Sequence, residues 1–115
     1  MKSPRIAAKS RARLDERLAR LEPVERYRPP ARGWIRAIRE ALGMNAAQLA
    51  RRMGVSQPSI VGLEQSEEKA TIQLATLRRA AEALDCTLVY VLVPNKPLSV
   101  TVRERARALL LRRRQ

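Results

Sequence analysis

The 115-residue chain has no His and no Phe, one Cys, one Trp, two Tyr and only eleven acidic residues. Without His, the lone Cys86 has no partner base, so neither a Ser–His nor a Cys–His nucleophile can be assembled. No Gly-rich phosphate loop is present, and no ligand cluster with metal spacing. The Asp and Glu stand mostly in helical runs beside Arg, where charge pairing is the simpler role. The expectation is a protein that is not an enzyme and needs no cofactor. Three aromatics are too few for a platform on which single-stranded bases stack. A single Cys excludes an internal disulfide and suits a reducing, cytoplasmic compartment. The longest apolar run, 88–93, is far too short to cross a bilayer, and the basic N-terminus lacks the apolar stretch of a secretory signal.

What the chain has in excess is positive charge, +13 in all, and it is unevenly placed. Residues 1–32 carry ten Lys/Arg against four acids, residues 33–96 eight against six, and residues 97–115 six against one. The middle reads as an ordinary globular segment between two basic flanks. Polyanions are the expected partners, double-stranded DNA first, which would place the protein on the nucleoid.

Hydrophobic spacing divides the chain further. Ser3-Pro4 is a helix start, and Leu14, Leu18 and Leu21 fall on one face of a basic N-terminal helix over 1–22. That narrow stripe can pack on the body, pair with a second copy or stay partly disordered. A Pro-rich linker spans 23–33. A helical domain is expected over 34–85. Its first helix has Trp34, Ile35, Ile38 and Leu42 on one face and stops at Gly43. A second, capped by Asn45, turns Leu49, Ala50 and Met53 inward. After Gly54-Val55, Ser56 caps a third helix with Ile60 and Leu63 facing the core. A fourth, over 73–84, buries Leu74, Leu77, Ala80, Ala81 and Leu84. Residues 86–94 are β-branched and aromatic up to Pro94, which predicts a strand. No second strand of similar quality exists to pair with it, so the expectation is a homodimer joined through this strand, with Leu88, Tyr90 and Leu92 at the interface; the alternative is a strand packed alone against the fourth helix. A basic C-terminal helix, capped by Ser99 and running to about Arg114, closes the chain over 95–115.

Two short helices joined by a tight turn, the second opening on Ser-Gln, form the pattern of a helix-turn-helix, whose second helix enters the DNA major groove. Gln57 can read adenine bidentately, Val61 can meet a thymine methyl, and Ser59 can bond a base or phosphate. Gly62 and Pro58 keep the helix surface lean, and Gln65 continues it. Asn45 and Ser56 sit at helix N-termini suited to phosphate, as caps and as contacts. Arg51 and Arg52 add charge nearby, or form a solvated face.

Residues 35–84 resemble the Xre/Cro-type repressor domain, a lambda-repressor-like bundle, in Gln48-Leu-Ala50, Gly54-Val55-Ser56 and Ile60…Leu63-Glu64. The resemblance implies a structural ion pair between Arg39 and Glu64. The chain departs from the pattern at Ala46, where relatives carry Gln for phosphate. More narrowly, Gly33-Trp-Ile-Arg-Ala-Ile-Arg-Glu-Ala-Leu-Gly-Met44, the run from Thr76 to Tyr90 and the basic Arg11-Ala-Arg-Leu-Asp-Glu-Arg-Leu18 resemble the mobile mystery protein A family. That likeness implies an antitoxin-like autorepressor partnered with a Fic-domain protein, a class whose relatives transfer AMP. The fold expected is therefore mainly α, a helix-turn-helix bundle with flanking basic helices and one C-terminal strand. A different reading is a protein-inhibitor module with a vestigial helix-turn-helix. A third, membrane binding through the basic flanks, has the least behind it, and no membrane partner is expected.

Overall fold

The computed structural model describes residues 3–113, and its regular structure is helical throughout. Six α-helices occur among these residues: α1 Pro4–Ala19, α2 Trp34–Ala41, α3 Ala46–Met53, α4 Gln57–Glu68, α5 Leu74–Ala83 and α6 Leu98–Arg113, with a 3₁₀ turn at Val24–Tyr27. Arg114, where the last helix was expected to end, lies outside the described residues. The chain divides into two compact units, residues 28–90 and residues 3–27 with 91–113.

The first unit holds α2 to α5. Its core is Ile35, Met44, Leu49, Ala50, Ile60, Ala80 and Leu84, with Ile38, Met53, Val55, Leu63, Ile72 and Leu77 packed around it. Leu49 and Ile60 are fully enclosed, which fixes α3 on α4. α3 begins with a reciprocal cap: Asn45 Oδ1 accepts from the Gln48 amide, and the Asn45 amide donates to Gln48 Oε1, both at 2.8 Å. It ends at Gly54, whose φ of 69° is the left-handed turn that brings the chain round into α4. Trp34 and Leu42 do not share the buried face of α2; they are 43% and 55% exposed. Met44, just past the helix, fills the core instead.

The β-strand is the main correction. No strand is present among the described residues, and residues 85–96 form irregular chain rather than a β-element. β-branched and aromatic residues favour a pleated, half-buried surface, but a ladder also needs a neighbouring strand, and none is present. Thr87, Leu88 and Val89 line an apolar groove with Trp34, Ile38, Leu77 and Cys86. Val89 and Leu92 are left 81% and 82% exposed.

The second unit pairs α1 with α6. Neither helix contains a fully buried residue. Its firmest bond is polar. Asp15 on α1 accepts from the amides of Leu98 at 2.7 Å and Ser99 at 3.1 Å, and from the Ser99 hydroxyl at 2.9 Å. The sequence points to Ser99 as the cap of α6; the capping carboxylate instead comes from α1, and Ser99 lies inside the first turn.

Candidate nucleic-acid interface

α3 and α4 form the helix-turn-helix, and α4 is held from three directions. Ile60 enters the core, as above. Glu64, one turn on, is only 8% exposed and accepts from Arg39 on α2: Nε to Oε2 at 2.7 Å and Nη2 to Oε1 at 3.1 Å. The remaining nitrogen, Nη1, donates to the Met44 carbonyl at 2.9 Å. Such a forked pair fixes rotation as well as distance. The carboxylate raises the Arg39 pKa further above its ordinary range, chiefly through the hydrogen bond.

Glu67 supplies the third hold, and nothing local in the sequence marks it. Its two oxygens accept the amides of Trp34 at 2.8 Å and Ile35 at 2.9 Å, so α4 caps the N-terminus of α2. α2 has no side-chain cap of its own, because its N-cap residue is Gly33. The helix dipole favours a carboxylate at this end.

With Ile60, Glu64 and Glu67 committed inward, α4 presents its other faces to solvent. Gln57, Pro58, Ser59, Val61, Gly62 and Gln65 are all exposed, as are Asn45, Arg51, Arg52 and Ser56. They are not equally available. Asn45 is engaged in the α3 cap. Ser56 Oγ accepts the Ser59 amide, and the two hydroxyls stand 2.7 Å apart. Arg52 Nη1 donates to the Ala83 carbonyl at 3.2 Å, near the end of α5. That carbonyl bond gives Arg52 a structural task on the same domain. Gln57, Val61 and Gln65 recur at one-turn spacing and form an exposed row, and Arg51 has no such tie.

Beside this row lies a feature that no local pattern in the sequence marks. Ser59, Gly62, Ser66, Thr71, Gln73, Thr76 and Arg79 border a hollow of about 380 Å³ next to the start of α5. The N-cap of α5 is Gln73, which makes no side-chain capping bond. The Ser66 and Thr71 hydroxyls donate to the Leu63 and Ser66 carbonyls, and Met53, Val55, Leu63 and Ile72 complete the lining, so what the hollow offers an anion is the uncapped start of α5 with Arg79 beside it. Thr71 and Gln73 precede a helix with no Ser, Asp or Asn at its cap, so no capping pattern drew attention to them.

This is the geometry of a DNA-binding helix-turn-helix: a recognition helix with its core face locked and its outer face lean and open. Residues 35–91, just under half of the chain, match the helix-turn-helix family HTH_3. Among curated proteins, Antitoxin HigA1 of Mycobacterium tuberculosis is similar, at 41% identity over 56 residues, in both the CDC 1551 / Oshkosh and the H37Rv strains. The match covers 49% of this chain and 36% of the relative, so the chain spans about a third of that protein's length. No solved structure matches the chain. Among the described residues, no helix is long and apolar enough to cross a membrane.

Proposed function

We propose that the chain is a sequence-specific DNA-binding regulator of the antitoxin type, which represses its own operon and restrains a co-encoded toxin. The observation that carries this is the α4 row of Gln57, Val61 and Gln65, exposed while Ile60, Glu64 and Glu67 anchor the helix along the neighbouring face. In this reading Gln57 reads adenine, Val61 meets a thymine methyl, and Gln65 extends the contact by one base step. Asn45, Ser56, Ser59 and Arg51 line the phosphate side, while Pro58 and Gly62 allow close approach. Arg52 acts mainly through α5.

The regulator binds as a homodimer, in keeping with the two half-sites that helix-turn-helix proteins read. Tyr90 and Leu92, both well exposed, are the side chains offered for that contact, with Leu88 beside them in the groove. A Fic-domain protein is the proposed partner, on the likeness of the chain to the mobile mystery protein A family; the antitoxin role is supported by the similarity to Antitoxin HigA1.

The test is binding of the full chain to a duplex taken from its own promoter, against a scrambled duplex of equal length. The proposal expects a preference of at least about 1,000-fold at physiological salt. Equal binding to both duplexes contradicts it. Co-purification with the product of the adjacent gene tests the partner.

A further inference from the structure

Outside the helix-turn-helix, the described residues carry their longest one-sided row of unpaired cations on α1. The α1/α6 unit carries thirteen Lys/Arg against five acids over residues 3–27 and 91–113, whereas residues 28–90 carry nine against six. Arg5, Lys9, Arg13 and Arg17 follow one another at four-residue intervals, which stacks them on one side of the helix. At 1.5 Å per residue the row is about 18 Å long. All four are exposed, and none makes an ion pair or side-chain hydrogen bond among the described residues. The acids that share the helix are committed elsewhere: Asp15 caps α6, and Glu16 stands 3.5 Å from Arg20.

We propose that this row is a second duplex-DNA surface, gripping phosphates without regard to sequence and adding to the hold of α4. The proposal rests on the DNA-binding function put forward above. Three observations select duplex DNA as the occupant. Four cations share that side of the helix with a single acid, Glu16, which stands by Arg20 three residues beyond Arg13, and so strong an excess of one sign is the footprint expected of phosphate binding rather than of a mixed-charge protein contact. The other side of α1 is taken up in part by α6, with Leu18 half-buried, which leaves Ile6 and Leu14 as the large apolar side chains open on it. A membrane-surface helix needs that whole apolar face open. Finally, the unit is covalently continuous with the DNA-binding domain at both of its chain ends, so once α4 binds, the row is held at high local concentration near the same duplex.

The experiment measures affinity of the full chain for a promoter duplex and for a random-sequence duplex of about 40 base pairs between about 50 and 200 mM salt. The principal variant is Arg5→Gln/Lys9→Gln/Arg13→Gln/Arg17→Gln, Gln being a good helix former. Each lost phosphate contact flattens the log–log salt slope by about 0.9. The expected result is a slope shallower by about 2 to 4 on both duplexes, with the promoter preference retained. Two half-variants, Arg5→Gln/Lys9→Gln and Arg13→Gln/Arg17→Gln, should each give about half of that change, even if the fourfold variant loses helix. The control Arg103→Gln/Arg105→Gln/Arg107→Gln/Arg112→Gln removes equal charge from α6 and should change the slope less. An unchanged slope in the row variants overturns the proposal, as does an equal change in the α6 control. So does loss of polyglutamate binding with duplex binding intact, which would mark the row as an acidic-protein site. If the wild-type chain shows no promoter preference but the row variants still flatten the slope, the regulator reading fails while the row stands.

Discussion

A β-carbon built on Gly33 would stand 2.6 Å from Oε1 of Glu67, so the glycine and the carboxylate occupy complementary space at the start of α2. Gly33 also holds φ at 91°, a conformation L side chains seldom adopt. The contact joins two helices through one residue pair: Glu67 anchors α4 by capping α2, and only a bare backbone lets it come near enough.

Gly33→Ala is therefore expected to destabilise the domain by at least about 2 kcal/mol, from left-handed strain together with displacement of the cap. Glu67→Ala should cost about 1 to 2 kcal/mol, since two amides at the helix start lose their acceptor. Urea unfolding of each variant measures this. A wild-type midpoint for Gly33→Ala would show that the close approach is not constraining.

Arg39 and Glu64 are nearly enclosed, with side-chain exposures of 11% and 10%. Breaking such a pair leaves one charge without its partner, so Arg39→Ala and Glu64→Ala are each expected to cost about 3 kcal/mol. The double variant Arg39→Met/Glu64→Leu should recover much of the loss, because no charge is left stranded. Thermal unfolding of the three variants decides the point. Unaltered stability in both single variants would remove the pair from the account of how α4 is held.

Asp15 gives the α1/α6 unit a pH dependence. Its carboxyl lies below the ordinary carboxylate value, first because the Leu98 amide bonds to the ionised form, with Ser99 and the nearby Arg11 acting the same way. A lowered folded-state value means that its contribution is fully present above the unfolded carboxylate range and is lost as pH falls through the folded value. Helix content of the full chain should therefore fall on acidification below about pH 4, and Asp15→Asn should remove part of that acid step. Circular dichroism from pH 6 to pH 2 reads it. Identical acid curves for the two proteins would contradict the assignment.

The parts of this fold that were legible in the sequence are the ones written locally. Asn45 with Gln48, Gly54 and Ser56 are all within a few positions of the helix ends they define, so α3, the turn and the start of α4 could be read off directly. Contacts that span the chain could not. Glu67 caps a helix 33 positions earlier and Asp15 one 83 positions later, and no periodicity encodes either. Trp34 and Leu42 shared the helical spacing of Ile35 and Ile38, yet which edge of α2 is buried was settled by α4 and α5, and Met44 took the core place. The segment 86–94 shows the opposite failure. Its composition suits a strand, but strand formation depends on a neighbour that no single segment can specify.

The central claim is that the exposed row on α4 reads base sequence. It is tested most directly by the affinity of Gln57→Ala/Val61→Ala for the promoter and scrambled duplexes at fixed salt. Loss of one bidentate and one apolar base contact should lower the promoter preference by about 2 to 4 kcal/mol, roughly 30- to 1,000-fold, with scrambled-duplex affinity and salt slope nearly unchanged. A variant that keeps the full promoter preference would contradict the account.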